Sequence, residues 1–235
     1  MVTFLGGVRD TAGTHGFIPV GPDDVVAVDI TRGAVLWRRD GIGRPIAATA
    51  SRLVTLVREG EQFLLRIFAV ADGRDIATAQ DFGMPRWAAQ IDTSSDAVVV
   101  DAVETDEGIH IEWRIRRPYR GGPPPRRDVA EQVNDEMRGA LVLDPDTART
   151  NAAPSARARN AAFATQAATG EPHVSPDPGV VALDRIGDRM FALKVRSVDR
   201  KSVVTLEARN AKDGSTVWEA TLVERASEGP APLRR

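Results

Sequence analysis

The sequence predicts an all-β protein: a β-propeller-like array of about four antiparallel four-stranded blades, interrupted by two irregular insertions. Three observations lead there. Short β-type runs separated by hairpin-length polar gaps fill most of the 235 residues. A strand–turn–strand segment recurs at long intervals. Only one segment carries a helical apolar stripe.

The first pair of runs is 25–30 and 34–38, joined by Thr-Arg-Gly. Runs 52–57 and 63–70 flank Arg-Glu-Gly-Glu, and a short run at 75–79 follows Ala-Asp-Gly. Runs 96–103 and 109–116 enclose a Gly-containing acidic turn. Residues 109–115 alternate apolar and polar, the pattern of a strand with one buried face. Near the end, runs 180–184, 189–195, 202–208 and 216–222 succeed one another through tight turns. Residues 128–137 read either as a helix, with Asp128 as N-cap and Val129, Val133 and Met137 on one stripe, or as a turn in a loop.

Two stretches break this rhythm and read as insertions on one domain spanning 1–225. The first, 118–138, opens with a basic Pro/Gly-rich segment of polyproline character. The second, 147–179, is rich in Ala, Pro, Ser, Thr and Arg, with Phe163 as its large anchor. Residues 226–235 read as a flexible tail.

The repeat sets the architecture. Ala27, Asp29, Gly33 and Trp37 recur as Ala208, Asn210, Gly214 and Trp218. A weaker copy runs through Gly73 without the Trp, and a weaker one still ends at Ala148 without the Gly. These turn positions lie 40, 75 and 66 residues apart, one blade length and then one blade plus an insertion. The glycine supplies the positive φ that a short hairpin needs. The strand after it places Trp where a large ring can fill the gap between neighbouring sheets. A lone four-stranded sheet cannot bury both faces, so such units stack about an axis.

This signature resembles the repeat of quinoprotein-like, PQQ-type β-propellers. The resemblance implies that Trp37 and Trp218 are structural wedges between blades. Family members usually close seven or eight blades. The four counted here leave three arrangements open: a small closed ring, an open arc, or part of a ring completed by another chain. An open arc leaves sheet edges that invite assembly. The resemblance also raises quinone-dependent dehydrogenation, for which the family uses a tryptophan face, a vicinal disulfide or equivalent, and calcium. The chain has no cysteine and no recognisable acidic and amide set for that site.

Composition narrows the function classes. With 31 Lys+Arg against 33 Asp+Glu, the formal charge of −2 argues against whole-protein binding to nucleic acid or anionic membranes. Without cysteine there is no disulfide, thiolate catalysis or iron–sulfur cluster. The first residues lack a basic n-region, and no apolar run approaches membrane-spanning length, so the expected compartment is cytoplasmic. Only three lysines accompany the many arginines, a bias resembling that of GC-rich bacterial coding.

The histidines His15, His110 and His173 form no metal-ligand spacing. His110 reads as a solvent-side or interface residue, opposite Ile109 and Ile111. The pairs Asp23–Asp24 and Asp144–Asp146 read as turn chemistry rather than calcium loops. No metal, cofactor or catalytic site is expected. The densest candidate surface is Arg114, Arg116, Arg117, Arg120, Arg126 and Arg127 with Trp113 and Tyr119, a basic and aromatic patch for a protein partner. The expectation is a non-enzymatic scaffold that binds protein or self-associates, or a subunit of a larger assembly. The alternatives are a quinone- or small-ligand-binding propeller enzyme and a nucleic-acid binder acting through the Arg-rich loop.

Overall fold

The computed structural model describes residues 3–79, 82, 84, 98–116, 136–152, 179–199 and 201–226. All regular structure among them is β, in four antiparallel meanders. Blade 1 is β1 (Thr3–Phe4), β2 (Gly7–Arg9), β3 (His15–Pro19), β4 (Val25–Asp29) and β5 (Ala34–Arg39). Blade 2 is β6 (Arg44–Ala48), β7 (Arg52–Glu59), β8 (Gln62–Ala69) and β9 (Asp75–Ala79). Blade 3 is β10 (Val98–Thr105), β11 (Gly108–Arg116), β12 (Glu136–Asp144) and β13 (Arg149–Ala152). Blade 4 is β14 (Val180–Ile186), β15 (Arg189–Val198), β16 (Lys201–Asn210) and β17 (Thr216–Ala226). Each strand pairs with its neighbour in sequence, so every blade is a local meander, and blade 1 carries one extra strand.

The blades are all-β and propeller-like because each buries its faces only against neighbours. Three hydrophobic clusters do this. One joins blades 1 and 2 through Phe17, Val25, Ala27, Leu53 and Phe68. A second joins blades 2 and 3 through Leu65, Ile67, Val100, Ile111 and Trp113. The third joins blade 4 to blade 1 through Phe191, Leu206, Leu222, Ile18 and Val26. The spatial order is therefore 4–1–2–3, with the last blade of the chain seated on the first. Among the described residues no hydrophobic cluster joins blade 3 to blade 4.

Period-2 burial follows the sequence pattern. In β11, Ile109, Ile111, Trp113 and Ile115 share a buried face. Both insertions are shorter than expected. β12 begins at Glu136, inside 118–138, and β13 occupies 149–152, inside 147–179. Both segments find ladder partners on blade 3, which overrides their weak local β signal. Glu136 and Met137 open a strand, which removes the C-terminal end of the possible helix; residues 128–135 lie outside the described residues. The tail after 226 also lies outside them.

Candidate functional site

The joints between blades share one construction, starting from the turn before the last strand of each meander. In blade 1, Asp29 Oδ1 accepts from the Thr31 amide at 2.8 Å, the Thr31 hydroxyl at 2.6 Å and the Arg32 amide at 3.1 Å. Burial opposes ionisation of Asp29, but these donors outweigh it and hold its pKa below the ordinary value. Asp144 caps the blade 3 turn in the same way, through Asp146, Thr147 and the Thr147 hydroxyl. Asn210 does so in blade 4, accepting from the Lys212 amide at 2.9 Å. The turn closes with Gly33 at φ 72°, Gly73 at 68° and Gly214 at 72°; blade 3 has Ala148 at 57°. In the three glycine turns the amide donates to the carbonyl four residues back, at 2.8, 2.9 and 2.9 Å.

Onto two of these glycines a tryptophan of the neighbouring blade is laid. A Cβ added to Gly33 would meet Trp218 Cδ2 at 2.4 Å, and one added to Gly73 would meet Trp37 Cδ2 at 2.8 Å. So Trp218 on β17 reaches blade 1, and Trp37 on β5 reaches blade 2. Trp37 Nε1 donates to Val70 O at 2.7 Å. Each indole also tilts against a core phenylalanine, Phe17 at 6.0 Å from Trp37 and Phe191 at 5.9 Å from Trp218. Arginines complete the joints. Arg39 donates to Gly73 O at 2.8 Å, and Arg189 to Thr31 O at 3.0 Å. At the blade 3 turn, Arg52 of blade 2 pairs with Asp146 at 3.1 Å.

The arginine patch is only partly within view. Arg114 is exposed on β11, and Arg116 ends that strand. Arg117, Tyr119, Arg120, Arg126 and Arg127 lie outside the described residues. Trp113 leaves the candidate partner-binding set. Its ring is buried, packs on Gly139 of β12 and faces Phe82 at 6.2 Å. The physical reason is parity, since 113 shares the face of 109, 111 and 115. Of the two readings of His110, the solvent-side one falls: it is 1% exposed, with Glu112 Oε1 3.9 Å from its Nδ1.

Two polar clusters have no counterpart in the sequence reading. Asp10, fully buried, accepts from the Thr14 amide at 2.7 Å and the His15 amide at 3.2 Å. Its Oδ2 stands 2.8 Å from His15 Nδ1 and accepts from the Thr14 hydroxyl. Burial works to raise the Asp10 pKa, yet the hydrogen bonds prevail and it lies below the ordinary value. In blade 4, Glu207 pairs with Lys194, accepts from Thr216 Oγ1 at 2.8 Å and meets Arg209 Nε at 2.9 Å. Burial resists ionisation there too, but Arg209, Lys194 and Thr216 bring Glu207 down to about 2. Both clusters join residues from different strands or across a turn, a pairing that needs register rather than composition. The described residues contain no group of three metal-ligating side chains.

No protein-family model matches the chain. No curated protein matches it either. Among solved structures it is similar to BamB from Moraxella catarrhalis, at 14% identity and TM-score 0.32, covering 90% of this chain and 50% of that one. It is also similar to a europium-containing methanol dehydrogenase, at 10% identity and TM-score 0.31, covering 89% and 40%. A third similarity is to the AtxE2 isopeptidase, at 11% identity and TM-score 0.35, covering 90% and 44%. The chain spans half or less of the length of these proteins.

Proposed function

We propose that this protein is a non-enzymatic, PQQ-type propeller-like scaffold that binds another protein, as a subunit of a larger assembly. The observation that carries this reading is the series of sealed joints between blades. Clusters seal blade 4 to 1, 1 to 2 and 2 to 3, and no fourth one joins blade 3 to blade 4 among the described residues. A meander at either end of such a series has one sealed neighbour where the others have two, and a partner can supply the second. Rigid blades with loops between them are also a common frame for recognition.

Size-exclusion chromatography with light scattering, on the chain purified from its native host beside any co-purifying protein, tests this. The expected result is a stoichiometric complex of mass above 25.4 kDa that survives dilution. A strict monomer that retains no partner would remove the reading.

A further inference from the structure

From the joint between blades 4 and 1 we infer that blade 4 is a hinged unit, closed onto blade 1 by a wedge at Leu5 and able to open as one body. This goes beyond the scaffold reading and does not rest on it.

Trp37 and Trp218 stand at the same place in the repeat, yet their indole N–H groups fare differently. Trp37 Nε1 donates to Val70 O at 2.7 Å. Trp218 Nε1 is buried and meets no acceptor among the described residues. A buried N–H without a partner weakens the contact that hides it. Gly73 is buried beneath Trp37, whereas Gly33 is half-buried beneath Trp218. The backbones differ as well. Inner strands β2 and β6 run together, as do β6 and β10, while blade 4 approaches blade 1 at the outer strands β17 and β5. The ties from Arg225 to Asp24 and from Arg189 to Thr31 O lie exposed, where such contacts hold weakly.

The turn between β1 and β2 reaches the inner side of this joint. Leu5 is 5% exposed and packs in the cluster of Phe191, Leu206 and Leu222. Its φ of 50° lies in the left-handed region, which is costly for a residue with a Cβ. Its amide donates to the Asp184 carboxylate on β14, where burial pushes the carboxyl pKa up despite that bond. An unmatched indole N–H, a left-handed leucine and a buried carboxylate thus meet at one joint. Ala148 in blade 3 also has positive φ, but at the position that the motif turn keeps left-handed in the other blades. Costs of this kind gather at elements that move. Blade 4 can move without breaking a ladder, because β14, β15, β16 and β17 pair only among themselves.

Native-state hydrogen exchange of the full chain, read by NMR, tests this. The expected result is that amides of β14 to β17 share one opening and exchange about tenfold faster than those of β7 and β8. The Trp218 indole N–H should exchange before that of Trp37. Leu5→Ala keeps a Cβ at the left-handed turn and removes the wedge. It should speed exchange through all four strands of blade 4 and leave β7, β8, β10 and β11 unchanged. Gly33→Ala, whose Cβ meets Trp218, should act in the same way, and Gly73→Ala should not. Protection in blade 4 equal to that of β7 and β8 overturns the hinge, and so does exchange that proceeds strand by strand. A Leu5→Ala effect spread evenly over all blades overturns the wedge.

Discussion

At the scale of single residues, the joints turn on what a hydrogen in place of a methyl allows. All three motif glycines have positive φ, so alanine at any of them meets a backbone cost of about 1–2 kcal/mol. At Gly33 and Gly73 the added Cβ also strikes an indole. Gly33→Ala and Gly73→Ala should therefore each lose at least about 1–3 kcal/mol more than Gly214→Ala, the scale of overpacking. Urea unfolding of the three variants checks the ranking, and equal losses at all three would contradict it. This layer was legible where a motif carried it, because Asp29, Gly33 and Trp37 do their work within nine residues of sequence. It was misread at Trp113, where neighbouring arginines suggested a surface although strand parity with Ile111 and Ile115 places the ring inside. His110 shows the converse limit. Its parity put it opposite the core, and it is buried all the same.

At the scale of elements, strands with runs of β-branched or other large apolar residues could be read directly, as in β4, β8, β10 and β16. Those missed include β2, β3, β6, β12 and β13, which carry Gly, Pro, Arg or Asn and form because a ladder partner waits beside them. The inner polar pair of blade 4 belongs here too, since Lys194 and Glu207 meet only across the β15–β16 ladder. Removing one partner strands the other: Glu207→Ala should cost about 3–5 kcal/mol in urea unfolding. Replacing both by apolar residues of similar size should recover most of that loss. Acid should act through the same group. Glu207 sits at about 2 in the folded chain against an ordinary 4.5, so its contribution is complete above pH 4.5 and fades as pH falls toward 2. Asp10, also depressed, adds in the same direction, whereas Asp184, raised by burial, works against it. Urea midpoints measured from pH 7 to pH 3 should fall below pH 4.5, with a shallower fall in Glu207→Gln. A midpoint that rises on acidification would contradict this.

At the scale of the whole molecule, the chain folds as four local meanders whose neighbours are set by long-range contacts. Repeat spacing made the number of blades legible, because the recurring turn, marked by Gly in three blades and by Ala148 in the other, is a local signal. Their order was not, since no local signal tells the last meander to dock on the first. Arg225 paired with Asp24, Arg189 on Thr31 O and Trp218 on Gly33 make that joint from residues 158 to 201 positions apart. Thr11 Oγ1 donating to Glu104 Oε2 at 3.2 Å further ties a blade 1 turn to the end of β10 in blade 3. These contacts leave blades 3 and 4 as the ends of the series, which is why a partner is sought there. The whole arrangement rests on two indoles crossing from one blade to the next. Proton NMR of the intact chain reads this at once, through cross-relaxation between indole and glycine Hα protons. The prediction is cross-peaks from Trp218 to Gly33 and from Trp37 to Gly73, with both glycine Hα signals moved upfield by the rings and Gly214 unmoved. Absence of both sets of cross-peaks, with all three glycines at ordinary shifts, would contradict it.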